Sequence, residues 1–291
     1  MLREALLSAL ASLPRDGEII VVDGDPRRSA EAVVEELDSP DGGPPIRYIA
    51  GVSGLCAQRN KGMDAAQGDV VIFTDDDCTL AAGFYEALAG AYRDPEVIGV
   101  TGRVLQAPDR RIGSNIESPL RRMVLGGGRQ GTMTSFGFRR PIVDVESPRT
   151  IEYMPGTFMS ARRAIAADVR FDEWLGRSHG YSLGEDDDFS YRLSRRGTLR
   201  YVPSAAVHHH SLGKSTMDRR VLDRLLVINR TYLFRKNFAG TLRAKLGYAG
   251  LIVLLFSHRI VNRDWQGMRG LIDGLHDVWR GDRGQLGSVP A

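Results

Sequence analysis

A mainly parallel α/β sheet with helices on both faces, followed by a helical C-terminal segment, is the fold class this sequence predicts. Short β-branched runs alternate with stretches of helical apolar spacing through residues 1–211, the order that parallel strands and their crossover helices require. Two of the runs end directly in carboxylates: EIIVV (18–22) before Asp23, and VVIF (70–73) just before Asp75, Asp76 and Asp77. In such sheets ligands bind beyond the carboxyl ends of the strands. Beyond Ser211 the chain turns helical and basic. With 291 residues, 42% of them apolar, it can fill one large domain or two small ones.

Taken in order, Leu2, Leu6, Leu7, Leu10 and Leu13 recur at helical spacing until residues 14–17 (PRDG) stop the helix. Residues 18–22 form a strand that delivers Asp23 to its end. Residues 29–37 read as helix, 40–45 as loop and 46–49 as a second strand. Residues 55–67 form a helix closed by Gly68, and 70–73 an uninterrupted apolar strand. Residues 102–148 are rich in Gly, Arg and Pro without a clear period, which predicts a long excursion over the site. A strand at 151–154, a helix near 162–167, an acidic helix start at 184–188 and a strand at 199–202 complete the domain. In the basic segment, Val221, Leu225, Ile228 and Tyr232 line one face of a helix studded with arginines. These signals divide the chain into a catalytic domain at 1–212 and a helical region at 213–291.

The net charge of +3 hides a gradient. Residues 1–100 hold 8 basic and 18 acidic side chains, net −10; residues 101–200 hold 17 and 12, net +5; residues 201–291 hold 14 and 6, net +8. A uniformly basic nucleic-acid binder is excluded, and an acidic pocket joined to a basic, phosphate- or membrane-facing half is favoured. Two cysteines, Cys56 and Cys78, form neither a disulfide framework nor a metal cluster; they read as core residues in a reducing, cytoplasmic compartment. The opening residues are amphipathic and lack a cleavage site, so secretion is not indicated. The apolar run at 246–256 is about half the length of a spanning helix and reads as buried or interfacial.

The triplet Asp75-Asp76-Asp77 is the sharpest signal. In an extended segment Asp75 and Asp77 share a face while Asp76 points away. Adjacent carboxylates at a sheet's ligand edge suit Mg²⁺ or Mn²⁺, and the competing reading is a solvated acidic turn. Glu185, Asp186, Asp187 and Asp188 open a helix, where capping explains one or two acids and a general base another. Of His208, His209 and His210, alternation sets His209 apart, as a metal or phosphate ligand or as exposed polar filler. Arg59 reads as a nucleotide contact or a solvated helix residue. Gly156 reads as a tight turn or a point of close acceptor approach.

The order of these motifs resembles the family-2 type of inverting glycosyltransferases with the GT-A fold, over roughly residues 18–211. By that resemblance, EIIVVDGD gives Asp23 a nucleoside contact, AQRNKG gives Arg59 a nucleotide contact, and FTDDD matches a D-x-D motif in which Asp75 faces the ribose and Asp77 holds Mn²⁺ or Mg²⁺. PGTFMSARR resembles the acceptor loop and assigns Gly156 to it; GEDDDFSYRLSRRG supplies Glu185 and the base Asp186; YVPSAAVHHH supplies His209 near the metal. The resemblance further implies a UDP-, GDP- or dTDP-linked sugar as donor, and a glycan or lipid-linked glycan as acceptor.

Members of the family usually open with a buried strand of the type VSVVIPTYN, whereas Met1 here already lies in the first helix, so the sheet is expected to be short of one central strand. The C-terminal segment resembles the tails of bacterial cell-envelope polysaccharide enzymes. Its 246–256 stretch, flanked by Arg243, Lys245, Arg259 and Arg263, either rests on the cytoplasmic face of the inner membrane or packs on the catalytic domain. Two other functions stay open: a nucleotidyltransferase, and a nucleotide-sugar-binding relic without activity.

Overall fold

The computed structural model describes residues 1–38, 43–106, 128–176, 182–210 and 217–281. Helix α1 (Leu2–Ser12) turns Leu6 into a small core with Val34 and Leu37 of α2 (Glu31–Leu37) and Ile46, the first residue of β2 (Ile46–Ala50). Strand β1 (Ile19–Asp23) pairs with β2 in parallel, Ile19 opposite Ile46 and Asp23 opposite Ala50. Helix α3 (Leu55–Ala65) follows and leads to β3 (Val70–Thr74).

The main sheet has six strands, in the order β3, β7 (Phe158–Arg162), β5 (Val97–Gln106), β8 (Thr198–His209) and β4 (Cys78–Leu80), with β6 (Arg149–Ile151) also on β8. It is mixed rather than mainly parallel. Strands β5 and β8 run parallel, whereas β7 runs antiparallel to both β3 and β5, and β4 and β6 run antiparallel to β8. Helix α4 (Phe84–Tyr92) buries Phe84 and Leu88 against Val97, Val100 and Phe158.

Three expectations change here. The strand expected at 151–154 ends at Ile151. Residues 158–162, expected as loop, form β7, whose polar Ser160 is hidden at the centre because its hydroxyl donates to Val100 O at 2.7 Å. The strand expected to stop at 202 runs on to His209, carried past Pro203 by a register shift opposite Gly102–Val104. Of the excursion at 102–148, residues 107–127 lie outside the described residues.

Helices α5 (Arg163–Val169), α6 (Glu185–Ser194) and α7 (Arg219–Asn237) close the other face. Leu233 of α7 enters the same core as Met154, Met159, Phe171, Phe189 and Leu199, so apolar packing crosses the 212/213 division. Helix α8 (Leu242–Val261) packs Ala244 and Leu251 onto Phe136 and Phe234, and α9 (Trp265–Arg280) lies on α7. Gly270 and Gly274 permit that approach: a Cβ on Gly270 would lie 2.3 Å from Arg220 O.

Among the described residues β1 and β3 do not pair with each other. A cavity of about 1230 Å³ separates them, lined by Ile19 to Asp23 on one side and Val70 to Thr74 on the other, with α1, α3 and α4 around it. The two strands nevertheless run side by side in one direction. Glu18 accepts from the backbone N–H groups of Gln67 (2.5 Å) and Gly68 (3.0 Å) at their starts, while Gln58 donates to Val22 O (3.2 Å) and Arg59 meets Asp75 (3.5 Å) near their ends. The gap falls where the expected central strand would stand.

Candidate functional site

Strand β3 ends at Thr74 and β4 starts at Cys78, so Asp75 to Asp77 form the short connection at the sheet's edge. Alternation turns Asp75 and Asp77 inward and leaves Asp76 exposed. Antiparallel pairing sets Cys78 opposite His209, which brings His209 Nε2 to 3.2 Å from Asp77 Oδ1. Ligand atoms of Asp75, Asp77, Cys78 and His209 all lie within 4.8 Å of one another. His208 and His210 project to the other, exposed side, where His210 bonds Thr79 Oγ1 at 2.8 Å. Cys78 is more than a core residue. Burial and the nearby Asp75 and Asp77 push its thiol up to about 12, and the protonated sulfur donates to Asp77 Oδ1 at 3.7 Å. Burial also raises Asp75, against the opposing pull of Arg59.

Arg59 is buried rather than a solvated helix residue, its side chain 7% exposed. Its guanidinium meets Asp75 at 3.5 Å and Glu185 at 3.3 Å and donates to Gly156 O at 2.9 Å. One side chain thus joins the end of β3, the glycine at 156 and the start of α6.

Gly184, at φ +84°, turns the chain into α6, where four successive acids find four sets of partners. Glu185 pairs with Arg59. Asp186 Oδ2 accepts from Arg139 (3.0 Å) and from the Gly156 backbone N–H (3.1 Å), and its Oδ1 accepts from Asp187 N (2.9 Å). Asp187 lies 2.7 Å from Arg230 and 3.6 Å from Arg139. Asp188 is held by Arg192, Lys236 and Asn237. Their protonation differs with surroundings. Burial, reinforced by Asp186, pushes Glu185 up to about 7 despite Arg59. Burial also opposes ionisation of Asp186, but the Arg139 charge and two backbone N–H groups outweigh it and hold this carboxyl below the usual range. Gly156 lies between Arg59 and Asp186: a Cβ there would make ordinary contacts with Arg59 Nη2 at 3.5 Å and Asp186 Oδ2 at 3.6 Å.

Asp23 stands at the end of β1 as a buried acceptor, taking hydrogen bonds from Asp25 N (2.8 Å), Ala30 N (3.1 Å) and Tyr48 OH (2.9 Å). Burial pushes its carboxyl up, and these donors more than offset that and lower it. It lines the same cavity as Asp75 and Asp77 but belongs to a separate hydrogen-bond network. Sequence reasoning alone misses Arg139 and Arg230. Their signal is the surplus of acids at 185–188, which needs cations nearby; Arg230 sits in the basic helix that supplies one.

A family model described as glycosyl transferase family 2 matches residues 1–169. The chain is 30% identical over 196 residues to the pre-mycofactocin glycosyltransferase of Mycobacterium tuberculosis, covering 67% of this chain and 36% of that protein. It therefore spans little more than a third of the length of the curated relatives it matches. Among solved structures, S. aureus TarS 1–349 in complex with UDP-GlcNAc superposes with a TM-score of 0.53 at 13% identity, over 96% of this chain and 88% of that one. The mannosyltransferase PcManGT from Pyrobaculum calidifontis, in complex with GDP-Man and Mn²⁺, gives 0.53 at 17% identity, over 96% and 83%. GalNAc-T7 with UDP, GalNAc and Mn²⁺ gives 0.54 at 18% identity, over 77% and 44%. At these identities the structural likenesses speak for the fold.

Proposed function

The chain belongs to glycosyl transferase family 2 and has the GT-A fold, and on that premise we propose that its site moves a sugar from a nucleotide-diphosphate donor to a hydroxyl acceptor with inversion. The observation that carries this reading is the bridge made by Arg59 between Asp75, beside the Asp77–His209 pair, and the carboxylates of α6. A donor-side acidic cluster and an acceptor-side base thereby face each other across Gly156.

The donor set fits a divalent cation: two carboxylates and an imidazole converge, and hard oxygen ligands suit Mn²⁺ or Mg²⁺. Asp77 and His209 would hold it, and Asp75 alongside would contact the ribose. When bound, the cation neutralises charge on the diphosphate leaving group. Two of the structural neighbours contain Mn²⁺, which supports that assignment.

Asp186 is the base. Its lowered pKa keeps it ionised at neutral pH, and Arg139 and Gly156 N fix its orientation. It takes the acceptor hydroxyl's proton as that oxygen bonds to the anomeric carbon. The bond from that carbon to the diphosphate oxygen breaks, and the nucleoside diphosphate leaves with the electron pair. Glu185 positions Arg59, and Gly156 leaves room for the acceptor. Asp23 holds the nucleoside end through the β1 terminus. The acceptor is a glycan or lipid-linked glycan on the cytoplasmic side of the membrane, a reading supported by the basic C-terminal helices.

A thermal-shift panel of UDP-, GDP- and dTDP-sugars with and without Mn²⁺ tests the reading. One donor class should stabilise the protein, and only with the cation present. No shift from any nucleotide sugar on folded protein would overturn it.

A further inference from the structure

We propose that α8 and α9 together form an interfacial docking surface for an anionic lipid bilayer, on which the molecule rests without spanning it. This goes beyond the transfer reading and does not depend on it.

Leu242, Leu246, Ala249, Val253 and Ile260 are all exposed. At 3.6 residues per turn they fall on one narrow face of α8. The opposite side is committed to the protein. Ala244 and Leu251 are buried, Phe136 fills the space beside Gly247, and Arg259 makes a buried two-point pair with Asp223 at 2.7 and 2.8 Å. By length and composition α8, 20 residues against the shorter apolar run at 246–256, could cross a membrane, yet inserting it would tear out that pair and leave buried Asp223 only the longer 3.5 Å contact with Arg219. The helix therefore lies flat. This corrects the expectation that Arg259 flanks the membrane face.

Helix α9 repeats the pattern. Trp265, Ile272 and Trp279 stand at seven-residue intervals, on one face, and are 57%, 51% and 82% exposed. Tryptophan with one apolar and one hydrogen-bonding edge is suited to the headgroup boundary. Charge selects the partner. Asp264, Asp273 and Asp277 of this region are each engaged by an arginine of α7, namely Arg219, Arg220 and Arg224. Arg243, Lys245, Arg263, Arg269 and Arg280 have no ion-pair partner among the described residues. The acids are thus consumed inward while these cations remain beside the apolar stripes, which matches an anionic surface and disfavours an acid-poor protein partner.

Flotation of the full chain with phosphatidylcholine vesicles, with and without phosphatidylglycerol, tests this. Binding is expected to the phosphatidylglycerol vesicles, with a blue shift of tryptophan emission, and to weaken at about 0.5 M NaCl. Replacing Arg243, Lys245 and Arg263 by Gln should weaken it about a hundredfold. Trp265→Ser with Trp279→Ser should remove the emission shift while leaving the thermal midpoint in place. Absence of flotation, or a concentration-dependent dimer that buries these tryptophans while vesicles stay unbound, would overturn the proposal.

Discussion

In the proposed mechanism Asp77, Asp186 and Glu185 have different tasks, and each can be tried separately. Asp77 lies against His209, where the proposed cation would sit, whereas Asp186 accepts from the Gly156 backbone N–H, beside which the proposed acceptor would enter. Asp186→Asn should therefore keep a Mn²⁺-dependent thermal shift with a nucleotide sugar while turnover falls at least about a hundredfold. Asp77→Asn should lose both. Glu185 predicts a pH effect on stability. Its carboxyl sits at about 7 against an ordinary 4.5, so the folded state holds this proton more tightly than the unfolded chain. The contribution is complete below about 4.5 and is lost as pH rises through 7. Urea midpoints measured across that window should decline for the wild type, and Glu185→Gln should flatten this part of the profile; an unchanged slope would remove the assignment.

At the scale of elements, much of the fold is legible because apolar period and carboxylate-tipped runs coincide. The strand ending at Asp23, the strand ending at Thr74 just before Asp75, and the acidic start of α6 stand where the pattern puts them. Strand β7 is not legible, because residues 158–162 are buried nearly throughout and show no alternation, and Ser160 disguises the run. The continuation of β8 is hidden by Pro203, and it matters most, since it is what carries His209 to Asp77. Gly102 makes it possible: a Cβ there would stand 1.6 Å from Ala205 O. Gly102→Ala should cost at least about 3 kcal/mol in urea denaturation, because backbone rather than a flexible side chain must yield. The open cleft makes a second prediction. Ile19 N donates to Pro45 O and Asp75 N donates to Thr157 O, so Ile20, Val22 and Ile72 turn their peptide groups away from β2 and β7 toward the cavity. Their amides should exchange with solvent much faster than those of Val21, Val71 and Phe73. Equal protection would mean that the cleft is closed in solution.

Across the whole molecule, the charge gradient in the sequence resolves into two functions of cations. Some are turned toward α6: buried Arg59, mostly covered Arg230 and the half-exposed Arg139 neutralise a carboxylate cluster that could not otherwise be enclosed. Others, along α8 and α9, have no acidic partner among the described residues and lie beside the apolar stripes. The site gathers residues from the end of β3, α3, the loop bearing Arg139, α6, β8 and, through Arg230, α7, so it depends on the sheet and the first C-terminal helix being assembled together. The sugar and acceptor are not legible in the sequence, because most residues it singles out would, in the proposed mechanism, address nucleotide, metal and proton, which such donors share. Metal-dependent transfer through Asp186 is tried most sharply by release of nucleoside diphosphate from the stabilising nucleotide sugar, measured for the wild type and Asp186→Asn with and without Mn²⁺. Release by the wild type only with Mn²⁺, together with binding but no release by the variant, is the predicted result; full release by Asp186→Asn, or by the metal-free wild type, would contradict it.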